Sequence, residues 1–398
     1  MTPRMTPRMT PRDTPGVSAP TVIIAGGGTG GHVFPGLAVA EALQAMADAE
    51  VVFCGTARGL EARVIPARGF RLECLDVVPM KGGGVAKAMR GSAVALRATA
   101  QALGTVRRLA PRAVLSMGGY AAGPITLAAA ILGVPVAVLE PNSLVGLANR
   151  ILGRVAKRAY LAWDGAEPAF APRIRRRYGV PLRAGFSAQP YSPAENGAPR
   201  VLVMGGSQGA RPLNERMPRA IARLAARHPS LEVTHQSGRG HEGAVAEAYA
   251  KEGTSRATVT PFIEDTAAAI AASDVIVARA GAVTIAEVCA IGRAAIFIPL
   301  PHAADDHQTK NAESLAGDGA AVWLPQTAAD EDGLASALDR LLADRAARVA
   351  MARAASSRGR PNAARDVAVD FLELARIPTR PDANGANRDG AHERKVAV

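Results

Sequence analysis

Val22-Ile23-Ile24-Ala25-Gly26-Gly27-Gly28-Thr29-Gly30-Gly31-His32 sets the architecture of this 398-residue chain. Four apolar residues in a row read as a buried strand. The glycines after them let the backbone turn tightly into a helix, expected from about Pro35 to Met46. The pattern restarts once: Arg200-Val201-Leu202-Val203-Met204 leads into Gly205-Gly206-Ser207-Gln208-Gly209-Ala210 and another helical stretch. Val51–Phe53, Val114–Ser116, Val136–Leu139, Asp274–Val277 and Ala295–Ile298 read as further short strands, separated by helical patterns such as Leu334–Leu342. Strands alternating with helices predict an α/β protein with parallel sheets covered on both faces. Two starts of strand, glycine loop and helix predict two doubly wound domains, over 21–183 and 184–360. The boundary is expected in the Arg- and Pro-containing stretch from Tyr178 to Pro199.

Composition narrows the classes. Hydrophobic residues are 48% and charged residues 21% of the chain, as in a globular protein with a large core. Aromatics are only 4%, too few for the exposed rings on which single-stranded nucleic acid stacks. Cys54, Cys74 and Cys289 lie far apart with no CxxC pair, which argues against a disulfide scaffold or a thiolate zinc site and fits a reducing cytoplasm. No run approaches the roughly 18 apolar residues of a membrane span, and Met1–Pro20 lacks the apolar centre of a signal peptide. Residues 1–20, with their MTPR repeat, and 377–398 have no apolar face and read as disordered tails.

The formal net charge is +12, and the two tails account for little of it. Such a surplus attracts anions: nucleic acid, anionic lipid or phosphorylated ligands. The stretch Met80–Arg112 holds Lys81, Lys87, Arg90, Arg97, Arg107, Arg108 and Arg112 and no acid. Met89, Leu96 and Leu103 recur every seventh residue there, the pattern of a basic amphipathic helix that could lie on an anionic membrane. A core-facing helix with a solvated outer face fits the same pattern.

Each glycine loop places free N–H groups at a helix start, which suits a diphosphate. Ser207 adds a hydroxyl donor to the second loop. His32 sits where the first helix begins; the positive helix end disfavours its protonated form, so a neutral imidazole there can act as a general base. Arg279-Ala280-Gly281-Ala282-Val283-Thr284-Ile285-Ala286-Glu287 puts Glu287 about a turn inside another helix, where a carboxylate can take both hydroxyls of a ribose. In Pro299–Asn311, His302, Asp305 and His307 do not match a metal-ligand spacing, and a polar loop contacting a sugar is expected instead, with no metal and no cofactor.

Taken in order, GGGTGGHVFPGLAVAEAL, Met117-Gly118-Gly119-Tyr120 with Gly123-Pro124, Glu140-Pro141-Asn142, GGSQGARPLN, His235-Gln236-Ser237-Gly238 and RAGAVTIAE resemble the MurG family of bacterial N-acetylglucosaminyltransferases, in glycosyltransferase family 28. The resemblance runs from about Val22 to Asn311, with weaker helical character to about Arg376. It implies a GT-B fold, two Rossmann-like domains facing a central cleft, with a helix over 361–376 expected to pack back on the first domain. The donor would be UDP-N-acetylglucosamine (UDP-GlcNAc) and the acceptor undecaprenyl-diphospho-N-acetylmuramoyl-pentapeptide, joined with inversion through the muramoyl 4-hydroxyl. Thr29, Gly30 and Gly31 would lie beside the donor sugar, with Asn142 and Gln308 contacting it. Ser207 and Arg183 would approach the diphosphate. Ile263 would hold uracil through its backbone, and Ala282, Val283, Thr284, Ile285, Ala286 and Glu287 would line the nucleotide. Tyr120 and Glu140 would stand on the acceptor side. The enzyme would sit peripherally on the cytoplasmic face of the inner membrane through Lys81, Lys87, Arg90 and Arg97, with cell-wall synthesis and division proteins as partners. The family's usual Glu-Gln-Asn triplet reads Glu140-Pro141-Asn142 here, and its Asn-Pro before the arginine reads Val180-Pro181.

Three other functions compete. A transferase of the same fold could glycosylate a lipid such as diacylglycerol. A dinucleotide-binding oxidoreductase would use the first glycine loop with Glu50 on the ribose, leaving the second loop unexplained. A nucleic-acid-binding module rests on charge alone.

Overall fold

The computed structural model describes residues 19–77, 85–193, 197–206, 208–301 and 306–381, with side chains in the third helix described from Arg97 onward. Seven strands form the first sheet: β1 (Thr21–Ala25), β2 (Glu50–Gly55), β3 (Arg71–Cys74), β4 (Val114–Ser116), β5 (Val136–Glu140), β6 (Arg158–Leu161) and β7 (Arg175–Arg176). All pair in parallel, in the order β3-β2-β1-β4-β5-β6-β7. The connecting helices are α1 (Gly30–Met46), α2 (Glu61–Ala67), α3 (Val85–Leu109), α4 (Ala122–Ile131) and α5 (Leu147–Leu152). Helix α1 begins five residues before the expected Pro35. Pro35 is the sixth residue of α1, so its ring removes one hydrogen bond inside the helix, the one its N–H would have donated to the Gly31 carbonyl.

The second sheet holds β8 (Arg200–Met204), β9 (Glu232–Gln236), β10 (Ala257–Thr260), β11 (Val275–Ala278), β12 (Ala294–Phe297) and β13 (Val322–Trp323), again all parallel, in the order β10-β9-β8-β11-β12-β13. Its helices are α6 (Arg211–Leu224), α7 (Glu242–Lys251), α8 (Thr266–Ala271), α9 (Ala282–Ile291), α10 (His307–Gly317), α11 (Glu331–Ala343) and α12 (Arg345–Arg358).

Successive side chains of a strand point to opposite faces, so a continuous apolar strand feeds two cores at once. Val22 and Ile24 enter one core, Ile23 and Ala25 the other. In the second sheet Val275 and Val277 divide in the same way from Ile276 and Ala278. In each sheet the winding direction reverses beside the first strand, at β1/β4 and at β8/β11. Loops leaving the strand ends on either side of a reversal splay apart and open a crevice, the usual ligand site of such sheets. Both glycine loops leave from these positions.

After α12 the chain returns to the first domain, where α13 (Ala363–Ala375) lies on α1. Val367, Ala368, Phe371, Leu372 and Ala375 complete the core that Val22 and Ile24 enter. Asp370, buried in that helix, accepts from Arg158 Nε (2.8 Å), Tyr160 Oη (2.9 Å), Arg176 Nε (3.1 Å) and Tyr178 Oη (3.3 Å). Four donors on one carboxylate fasten the C-terminal helix to β6, β7 and the segment after them.

Candidate active site

The first glycine loop is held from below. Glu61, at the start of α2, is 1% exposed. Its Oε2 accepts from the Gly28 N–H at 2.8 Å, and its Oε1 from the Thr56 N–H (3.0 Å) and hydroxyl (2.7 Å). The carboxylate lies so close under Gly27 that a Cβ there has no space. Burial raises the Glu61 pKa, but the Thr56 and Gly28 hydrogen bonds outweigh it and hold the carboxyl below its ordinary value. Nothing in the local pattern around Glu61 announces this role, which needs the turn of α2 to meet a loop 33 residues earlier.

His32 stands in the first turns of α1, its Nδ1 3.3 Å from Thr29 Oγ1, and the missing side chain of Gly119 leaves room for the ring. Burial lowers the imidazole pKa. A hydrogen bond to the Gly27 backbone works the other way, and the nearby His307 lowers it further. Burial thus favours the neutral ring. His307 belongs to α10, so its charge reaches His32 from the second domain. Tyr120 is exposed and lies against Gly28 at the rim.

Glu140, expected on the acceptor side, ends β5 and is 3% exposed. Oε1 accepts from the Asn142 N–H (3.1 Å) and Nδ2 (3.2 Å), and Oε2 from the Gly146 N–H (3.2 Å) and Asn149 Nδ2 (3.1 Å). Burial pushes its pKa up despite these donors. With four donors on its two oxygens, Glu140 shapes the 141–146 loop that presents Asn142.

In the second domain, the loops after β8 and β9 lie flush. Gly205 N–H donates to the Gln236 carbonyl (3.0 Å), Gly206 N–H to Gln236 Oε1 (3.3 Å), and Gly209 has no space for a Cβ against the Ser237 carbonyl. Ser207 itself lies outside the described residues. His235 is fully buried between Tyr249 Oη (3.0 Å) and Asn214 Oδ1 (3.1 Å), and Asn214 Nδ2 donates to Ser237 O (2.9 Å). Burial lowers the His235 pKa to about 4. This neutral histidine braces the second loop.

Helix α9 starts at Ala282, directly behind Gly281, and buries Ile285 while leaving Val283, Thr284 and Ala286 partly exposed. Glu287, 8% exposed, is pushed up to about 7 by burial, with the Arg183 guanidinium 3.9 Å away pulling the other way. Arg183 also lies 5.9 Å from the ring centre of Phe34 on α1 and 6.0 Å from that of Phe186. Arg183 thus touches both domains at the base of the cleft. Ile263 is partly buried before α8, and Gln308 Oε1 accepts from the Leu300 N–H at 2.9 Å. Across the cleft, Ser143 N–H (3.0 Å) and Oγ (2.8 Å) both donate to Asn311 Oδ1.

Family models place this geometry. The glycosyltransferase family 28 N-terminal domain matches residues 22–161 and its C-terminal domain residues 200–367. The chain belongs to glycosyltransferase family 28. It is 53% identical over 362 residues, 90% of this chain and 89% of the relative, to a Sorangium cellulosum protein named UDP-N-acetylglucosamine–N-acetylmuramyl-(pentapeptide) pyrophosphoryl-undecaprenol N-acetylglucosamine transferase. A protein of the same name from Aeromonas hydrophila is 44% identical, covering 89% of this chain and 97% of its own. Among solved structures, Acinetobacter baumannii MurG superposes with a TM-score of 0.74 at 34% identity, over 89% of this chain and 99% of that one. A UDP-GlcNAc 2-epimerase from Neisseria meningitidis shares the fold alone, at 12% identity and a TM-score of 0.62, over 89% of this chain and 99% of its own. The two facing Rossmann-like domains are the GT-B fold.

In this family 28 chain, Pro141 departs from the usual triplet without loosening the loop, because its carbonyl accepts from Trp163 Nε1 at 3.0 Å. The Glu50 of the dinucleotide alternative begins β2, at the opposite end of the strands from the crevice, and pairs with Arg71. Lys81, His302 and Asp305 lie outside the described residues, as do the side chains of Lys87 and Arg90. Arg97 is exposed, yet the described part of α3 packs Ala98, Ala102 and Val106 into the core, and Arg108 pairs with Glu73. Exposed apolar side chains stand elsewhere on the first domain: Leu127 and Ile131 on α4, Leu144, Leu147 and Ile151 on and before α5, and Val155. Arg150, Arg154 and Lys157 are exposed beside the last of these. No helix among the described residues is long and apolar enough to cross a membrane.

Proposed function

We propose that this chain transfers N-acetylglucosamine from UDP-GlcNAc to the 4-hydroxyl of the muramoyl sugar of undecaprenyl-diphospho-N-acetylmuramoyl-pentapeptide, a step of peptidoglycan synthesis. The observation that carries it is the pair of glycine loops at two sheet reversals, facing one cleft with His32 on one wall and Glu287 on the other, in a chain of family 28. The nucleotide belongs to the second domain. Uracil meets the backbone at Ile263, the ribose hydroxyls donate to Glu287, and the diphosphate lies over the loop of Ser207 and the N-terminal end of α9, with Arg183 beside it. Asn142 from one domain and Gln308 from the other hold the sugar, Gln308 through its NH2 end.

The acceptor hydroxyl attacks C1 from the face opposite UDP. The new C1–O bond forms as the bond to the β-phosphate oxygen breaks, so the anomeric configuration inverts. His32, held neutral by burial, takes the hydroxyl proton, work worth about 10²–10⁴ in rate. Charge gathers on the departing UDP, where Arg183 and the helix end stabilise it. Tyr120 at the rim meets the acceptor.

The acceptor's polyprenyl tail puts the enzyme at the cytoplasmic face of the inner membrane. The exposed apolar side chains of α4 and α5, with Arg150, Arg154 and Lys157, suit that face. The test is UDP release with and without the muramoyl lipid, in wild type, His32→Ala and Glu287→Ala. Lipid-dependent release that is lost in His32→Ala, with donor binding intact, supports the assignment. Equal release with diacylglycerol moves the acceptor to the lipid alternative, and no release with either lipid sinks the transferase.

A further inference from the structure

We propose that Asn311 is a positioning residue that sets the spacing across the cleft between the two halves of the donor-sugar site, an inference that rests on the transfer reaction above. The side chain is fully buried in α10, one turn after His307 on the same helix face. Its Oδ1 accepts both bonds from Ser143 of the other domain, while Nδ2 stands 3.4 Å from Asn142 Oδ1 and 3.5 Å from the Ala280 carbonyl. One planar amide thus joins three pieces of the site: the loop that presents Asn142, the helix that presents Gln308, and the residue before the Gly281 turn into α9.

An asparagine suits this place because it offers an acceptor and a donor on one rigid group. Aspartate would keep the Ser143 bonds but turn a lone pair toward the Ala280 carbonyl. Leucine would fill the space and leave the Ser143 N–H without its partner. The pieces being joined are already stiff. Asn142 is held by Glu140, and Pro141 by Trp163. Gln308 is tied to Leu300. Bonds of 2.8 and 3.0 Å between stiff parts leave no slack, so losing them changes the spacing of Asn142 and Gln308 rather than the fold of either domain.

Misplacing reacting groups by about 1 Å costs about a hundredfold in rate. With saturating muramoyl lipid, kcat is therefore expected to fall about a hundredfold in Asn311→Leu and about tenfold in Ser143→Ala, which loses only the hydroxyl bond, and by an intermediate factor in Asn311→Asp. The Kd for UDP, which contacts the second domain, should stay within about twofold of wild type in all three, so the loss lies in kcat and not in nucleotide binding. A kcat within twofold of wild type in both Asn311→Leu and Ser143→Ala overturns the proposal. So does a UDP affinity that falls in step with kcat, because Asn311 would then serve only the packing of its own domain. Amide hydrogen exchange at Ser143 reads the bond without turnover. It should quicken by about tenfold or more in Asn311→Leu, and unchanged exchange overturns the contact. A wild type that binds UDP but does not glycosylate the lipid defeats the transfer reaction instead, and with it the role claimed for Asn311.

Discussion

Glu287→Gln is expected to raise the stability of the free protein at pH 8 while weakening UDP binding. In the fold this carboxyl titrates near 7 instead of at its ordinary 4.5, because α9 buries it and Arg183, at 3.9 Å, compensates only in part. Between those two pH values the folded protein keeps a proton that the unfolded chain has released, so stability falls as pH rises through the window. At about 1.4 kcal/mol per pH unit, the cost above pH 7 reaches about 3 kcal/mol. Glutamine has nearly the same shape and no charge, so it removes that cost. At about 2–4 °C per kcal/mol for a domain of this size, the midpoint of thermal unfolding should rise by several degrees at pH 8 and hardly at all at pH 4, where both forms are neutral. Titration calorimetry should show UDP binding about ten- to a hundredfold weaker, since a charged acceptor for two ribose hydroxyls is gone. A variant no more stable than wild type at pH 8, or stabilised equally at both pH values, would refute the burial argument. Undiminished UDP affinity would remove Glu287 from the ribose.

Three further outcomes can be checked. His235 titrates at about 4 in the fold against 6.5 outside it, so the unfolded state gains a proton first on acidification and this group's contribution to stability falls by up to about 3 kcal/mol between pH 7 and 4, opposite in sign to that of Glu287; by urea unfolding, the stability of wild type relative to His235→Gln should fall by that amount over the range. Asp370→Ala strands Arg158, Arg176 and Tyr160 at the base of α13, and should cost about 3 kcal/mol and speed proteolysis between α12 and α13; proteolysis as slow as in wild type would show that Phe371 and Leu372 suffice to dock the helix. Leu147→Glu with Ile151→Glu puts two charges on side chains that are 66% and 54% exposed, so folding should be unchanged within about 0.5 kcal/mol while co-sedimentation with anionic vesicles is lost. Retained sedimentation would return the membrane contact to α3.

Both sheets, both glycine loops and the resemblance to family 28 were readable along the chain because each depends on neighbours. A buried parallel strand needs four or five apolar residues together, and a loop that brings a backbone N–H to a phosphate needs glycine at that very turn. Thus Val22–Ala25 announced β1 and Arg200–Met204 announced β8. The start of α1 was displaced because a proline, which suits a first turn, stands here as the sixth residue of the helix.

The groups that hold the site in shape were invisible in the same letters. Glu61 supports Gly28 across 33 residues, Asn311 meets Ser143 across 168, and Asp370 meets Arg158 across 212. Glu140 was visible as a motif residue, but the four donors around it appear only in the fold. Nothing local in α4 or α5 marks Leu127, Ile131, Leu147 and Ile151 as the apolar side chains that packing leaves outside. A run of letters carries the period of a strand or helix, because period is local. Which carboxylate is buried, and which leucine stays in water, depends on what arrives from a distant part of the chain.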